Sequence, residues 1–270
     1  MIVHVDWRTV YTYSRPVHGL HSELCVMPVQ RSNQRVPVGT ITIDPPARLR
    51  TRVDEFGNLR HEVDFAGTTD RLAVTVRAEV ETAAGPEPAL DDPTWSLDRY
   101  RQRSTRAPFA PELDALFGVA RAVRPLDAAA AAMAVIAGRF AYEVGVTHVA
   151  DDALQLLRTG RGVCQDFTHL MLAALRRQGV AARYVSGYLA PSSGEALATA
   201  SHAWVQVYHQ GAWYGFDPAN NTRQDERYVV TAVGRDYDDV TPVQGSYFGH
   251  AEEQWSTEVR IATPDPFGRS

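Results

Sequence analysis

GRGVCQDFTHLMLAALRRQG, from Gly160 to Gly179, decides how this chain is read. A loop bounded by Gly160 and Gly162 turns into an amphipathic helix. Phe167, Leu170, Met171, Ala174 and Leu175 fall on one stripe at helical spacing. Arg176 and Arg177 close the last turn, and Gly179 stands where a C-terminal cap is needed. Cys164 stands at the front of this helix. A cysteine there faces the positive end of the helix dipole and a row of unpaired backbone N–H groups, and both favour thiolate over thiol. Asp166, in the first turn, is expected to bond nearby N–H groups.

Downstream, SHAWVQVY supplies His202 and WYGFDPAN supplies Asp217. Cysteine, histidine and aspartate in that order are the parts of a nucleophile, a base and an orienting carboxylate. The two segments read as a hairpin turning at Gln210–Gly211. His209 then opposes Ala212, and Trp204 opposes Asp217. His202, two residues before Trp204, projects from the same face as Asp217, and the two become diagonal neighbours roughly 7–8 Å apart. A slip of one residue would send Asp217 to the other face. The Cys164 backbone N–H is a natural oxyanion donor, and Tyr142 is the candidate for a second.

Upstream the period changes. Val3, Val5 and Trp7, then Ile41 and Ile43, then Leu72, Val74, Val76 and Val80 alternate with polar neighbours, which predicts strands. DEFGN (54–58) has the residues of a tight turn. Residues 1–85 are therefore expected to form an antiparallel β-sandwich. TAAGPEPALDDP (82–93) reads as a linker, and the linker between the two domains is placed at 86–110. A core from 111 to 265 follows, with helices in PELDALFGVARAV, LDAAAAAMAVIAGRFAY and DDALQLLRTG. AARYVSGYL then reads as a strand, with later strands near Tyr228–Thr231 and Ser256–Ile261. The predicted fold class is α+β.

A net charge of −5 gives no basic footprint for nucleic acid. No apolar run approaches the ~20 residues a membrane helix needs, and MIVHVDWRTVYTYSRP shows no signal-peptide pattern. With two cysteines, Cys25 and Cys164, a disulfide scaffold is not expected and a reducing cytoplasm is the simpler location. Cys25 reads as packed, and His169 as a capping or packing histidine. His202 and His209 have a spacing that suits no common metal site. The Asp236, Asp238 and Asp239 run reads as a solvated loop before a calcium site. Trp204, Tyr188 and Trp213 fit a cleft wall or a core equally well. Neither cofactor nor metal is expected. All 27 basic residues are arginine, so the chain has no ε-amine of its own to offer an acyl group.

GRGVCQDFTHL, RYVSGYL, SHAWVQVY and WYGFDPAN together resemble the catalytic core of the bacterial transglutaminase-like proteins. GRDYDDVTPVQGSYFG resembles the segment that follows it. YTYSRPV and DEFGN are similar to the β-rich region that precedes it. The resemblance implies a papain-like core with Cys164 as nucleophile, His202 as base and Asp217 as acid. Thr168 stands where the family has a small residue, and Gln206 where an acid is common. The implied activity is attack on a peptide or carboxamide carbonyl through a thioester, with transfer to water or an amine, on a peptide or protein substrate. The contrasting expectation is a catalytically silent scaffold that recruits a partner through its β domain.

Overall fold

The computed structural model describes residues 1–89, 94–118, 124–146, 152–192, 194–198 and 201–263. The chain begins with β1 (Ile2–Leu24), β2 (Gln34–Asp44), β3 (Arg48–Val53), β4 (Leu59–Thr82) and a short β5 (Glu87–Pro88). Then come α1 (Pro111–Phe117), α2 (Pro125–Arg139), β6 (Ala141–Tyr142), α3 (Ala153–Thr159), β7 (Arg161–Gly162) and α4 (Cys164–Arg177). It returns to strand with β8 (Ala182–Leu189), β9 (Gly194–Ala198), β10 (His202–His209), β11 (Ala212–Asp217), β12 (Thr222–Arg223) and β13 (Tyr228–Gly234). It ends with β14 (Val243–Phe248) and β15 (Glu253–Thr263). No helix among the described residues is long and apolar enough to cross a membrane.

The first sheet is antiparallel and runs β2-β4-β1-β15-β9, with β3 on β4 and β14 on β1. β1 and β4 pair with each other, and each is long enough to serve two further neighbours. The first half of β1 pairs with β15 and the second half with β14, while β4 pairs with β3 and then with β2. The β1–β4 register shifts between Thr12 and Val17 and again between His18 and Leu20. Such irregularities bend a sheet. Val3, Trp7, Val74 and Val76 from one half meet Val17, Leu24 and Val63 from the other in a single apolar cluster. The expected β-sandwich is thus one sheet folded over its own core. The segments forming β9, β14 and β15, read from sequence within 111–265, pair in this sheet.

The second sheet runs β12-β11-β10-β8-β13, with β5 on β11. α4 packs on β8 and β10 and is covered by α2 and α3. Every α4 residue from Gln165 to Arg176 is buried, so the helix is enclosed all round rather than apolar on one face. Arg176 is interior: its guanidinium donates to Ala182 O at 2.9 and 3.1 Å, to Ser104 Oγ at 3.1 Å and to Arg235 O. Those bonds are what make a buried charge tolerable. Gly179 has φ +77°, its N–H bonds to Arg176 O, and the Val180 N–H bonds to Leu175 O. This pairing is a Schellman cap, as the sequence suggests.

Part of the expected linker is structure. Glu87 pairs with Trp213 in β11 and is buried, while residues 90–93 lie outside those described. The β13 edge is covered by two side-chain amides, one from Gln34 at the start of β2 and one from Asn58 in the β3–β4 turn. Gln34 accepts from Val230 N at 2.7 Å and donates to Val230 O at 2.8 Å. Asn58 does the same to Val233, both at 2.8 Å. Each amide stands in for a missing strand neighbour.

Candidate active site

Gln210 (φ +47°) and Gly211 (φ +82°) make the β10–β11 turn, and positive φ at both central residues suits a tight hairpin. The register runs from His209↔Ala212 to Val205↔Phe216, as the sequence predicts. His202 opens β10 and Asp217 ends β11. Their side chains meet, with Nε2 2.6 Å from Oδ2.

Asp217 is fully buried. Its Oδ1 accepts from the Ala219 and Asn220 backbone N–H groups at 3.0 and 3.1 Å. Its Oδ2 accepts from Asn220 Nδ2 at 2.7 Å and from the Tyr228 hydroxyl at 2.9 Å. Burial would raise its pKa, but the bonds and charge of His202, with Asn220 and Tyr228, hold it below the ordinary carboxylate value. For His202, burial pulls the imidazole down. Hydrogen bonds to Asp217 and Cys164, with their charges, outweigh this and push it up to about 10.

Cys164 is half-buried. It lies close enough to His202 to raise the imidazole, and because Asp217 takes Nε2, Nδ1 is the ring nitrogen left for the sulfur. The loop in front of it is fastened at several points. β6 pairs with β7, so Tyr142 lies beside Gly162. The Ala141 N–H bonds to Gly160 O and the Glu143 N–H to Gly162 O, both at 2.9 Å. Asp166 accepts from the Val163 N–H at 2.8 Å, the role expected of it. A Cβ on Gly162 would lie 2.7 Å from the Asp166 carboxylate. The Tyr142 hydroxyl faces Cys164. Burial and the Cys164 charge push its pKa up to about 12.

Trp204 is buried and stacks its ring on His202, whereas Tyr188 and Trp213 are core residues outside the cluster. The other candidates also lie apart from it. His169 is fully buried, accepts from the Tyr237 N–H at 3.2 Å, and is kept neutral by burial, its pKa down at about 3. Cys25 is buried, which pushes its thiol up to about 11. Thr168 is fully buried on α4. Asp236 accepts from Arg106 N and Asp238 N, Asp238 pairs with Arg106, and Asp239 pairs with Arg235. No group that could hold a metal occurs among the described residues. The sequence reading missed Asn220 and Tyr228. Asn220 follows Asp217 closely enough for a turn-capping signal, whereas Tyr228 reaches it only through strand packing.

Comparisons with known proteins agree with this architecture. Residues 117–218 match the family model described as transglutaminase-like superfamily, and residues 3–81 match the bacterial transglutaminase-like N-terminal region. An uncharacterized protein of Mycobacterium leprae is 31% identical over 268 residues, covering 94% of this chain and 95% of that protein. One of Mycobacterium tuberculosis is 31% identical over 279 residues, covering 92% and 88%. The crystal structure of a protein described as a "Putative Cysteine Protease" from Cytophaga hutchinsonii superposes with a TM-score of 0.78 at 20% identity. It covers 98% of this chain and 91% of that one.

Proposed function

Because the chain belongs to the transglutaminase-like superfamily, we propose that it is a cysteine-dependent acyl-transfer enzyme acting on a peptide or carboxamide carbonyl. The observation that carries this reading is the placement of Cys164 at the α4 N-terminus beside His202, whose Nε2 meets the buried Asp217 at 2.6 Å.

The proton shared by Cys164 and His202 rests on the imidazole as the sulfur attacks the carbonyl carbon. The tetrahedral oxyanion is held by the Cys164 N–H and by the Tyr142 O–H. The intermediate collapses to a thioester as His202 returns the proton to the leaving amine or ammonia. Asp217 fixes the tautomer of His202 and balances the imidazolium charge. Water or a second amine then attacks the thioester, with His202 again taking the proton. Cys164 is half-buried rather than sealed, which supports water as the acceptor. Catalysis by these side chains needs neither metal nor cofactor.

The experiment is turnover of peptide and γ-glutamyl amides, with and without an added primary amine, by wild type and Cys164→Ala. Product from wild type alone is expected, with the amine adduct reporting the acceptor. Equal turnover by both proteins would remove the mechanism.

A further inference from the structure

The triad rests on buried groups that acyl transfer does not itself use. The Trp204 indole stacks on the His202 ring at 6.0 Å and 22°, and meets Tyr228 edge-on at 5.1 Å. Tyr228 is the residue that donates to Asp217. One ring therefore touches both the histidine and the tyrosine that holds its carboxylate. Trp204 is fully buried, and its one polar atom, Nε1, donates to Gln224 Oε1 at 3.0 Å. The same oxygen accepts from Gln206 Nε2, also at 3.0 Å.

The backbone is cleared around this bond. A Cβ on Gly215 would lie 2.2 Å from Gln224 Oε1, and one on Gly187 would lie 2.8 Å from Trp204 Cη2 and 1.9 Å from Val229 O. Gln206 is held in turn. Arg183 donates to its Oε1 at 2.8 Å and to Glu87 at 2.9 Å, and Glu87 also takes Arg31 at 2.8 Å.

The geometry points to Gln224 as a positioning residue whose carboxamide oxygen fixes Trp204, which in turn fixes the plane of His202 between Cys164 and Asp217. This rests on the acyl-transfer reading. Stacked flat rings slide over one another at little cost, whereas a directed N–H···O bond stops the slide. A small displacement of an imidazole is costly to proton transfer. The titratable groups facing His202 are Asp217 from β11, Cys164 from α4 and Tyr228 from β13. Gln224 and Trp204 carry no charge, so they act on position.

The test is the pH profile of Cys164 alkylation by iodoacetamide, read on its own peptide by mass, in the full chain. Gln224→Ala is expected to react about tenfold more slowly at neutral pH, with its alkaline limb moved to lower pH. Gln224→Glu still offers oxygen to both donors and is expected to recover the wild-type rate within roughly twofold. Trp204→Phe keeps the ring but not the donor. It is expected to match Gln224→Ala, and the double variant to be no slower than either single one. A wild-type profile for Gln224→Ala, a Gln224→Glu as slow as it, or multiplying losses in the double variant would each overturn the assignment. Wild-type Cys164 that reacts no faster than a free peptide thiol overturns the acyl-transfer reading instead, and that arm needs no variant.

Discussion

At the residue scale, the charge state of His202 is what the site controls. Its pKa is raised from 6.5 to about 10 by Asp217 and Cys164 against the pull of burial. A raised pKa means that its ion pair contributes to stability in full below pH 6.5 and loses that contribution as pH rises through about 10. Melting temperatures of wild type and His202→Phe should therefore converge across that window, and parallel curves would refute the shift. Asp217→Asn keeps an oxygen for the Ala219 and Asn220 N–H groups but presents an amide to Nε2. It is expected to cut kcat by on the order of a thousandfold with little change in fold. Tyr142→Phe is expected to lower kcat about ten- to a hundredfold with KM nearly unchanged. An increase in kcat would mean that the phenol only blocks Cys164. The three residues themselves were legible in the sequence, because two lie on one hairpin whose turn chemistry fixes the register. Tyr228 and Gln224 were not, since their contacts depend on how separate strands pack.

At the element scale, α4 carries both the proposed nucleophile and much of the core. The sequence reading found its start, its stop and an apolar stripe. A single stripe predicts one buried face, yet α2 and α3 also pack on this helix, and Arg176 is buried against Ser104, Ala182 and Arg235. Two kinds of substitution separate these roles. Leu170→Ala removes a side chain with no exposure and is expected to cost about 2–5 kcal/mol. Gly179→Ala forces a Cβ into φ +77° and is expected to cost about 1–2 kcal/mol. Denaturant unfolding of both variants checks the order, and a larger loss at Gly179 would contradict it.

At the scale of the whole molecule, the two sheets are joined by buried polar groups. Glu87 lies between Arg183 and Arg31. Burial works against its charge, but the two guanidiniums hold its pKa down to about 2. The contribution of this lowered carboxylate is present above pH 4.5 and is lost as pH falls through about 2. Glu87→Gln leaves the buried Arg183 and the half-buried Arg31 without their carboxylate and is expected to cost about 3–5 kcal/mol. Its acid-unfolding curve should also be flatter than wild type, and an unchanged acid limb would refute the pairing. Gln206 belongs to the same network. It donates to Gln224 and lies 3.5 Å from Glu87, so a carboxylate there would lack the proton and face a like charge. That accounts for an amide where the family resemblance suggests an acid. By itself, the sequence determined the strand and helix periods, the caps of α4 and the hairpin that joins His202 to Asp217. These follow from spacing and turn chemistry within short stretches. Only the tertiary structure decided that β14 and β15 return to β1, that Glu87 is interior, and that Gln34 and Asn58 complete the β13 edge. Such pairings join residues far apart in the chain, and hydrophobic period and turn residues carry no record of which distant strand or charge will be met.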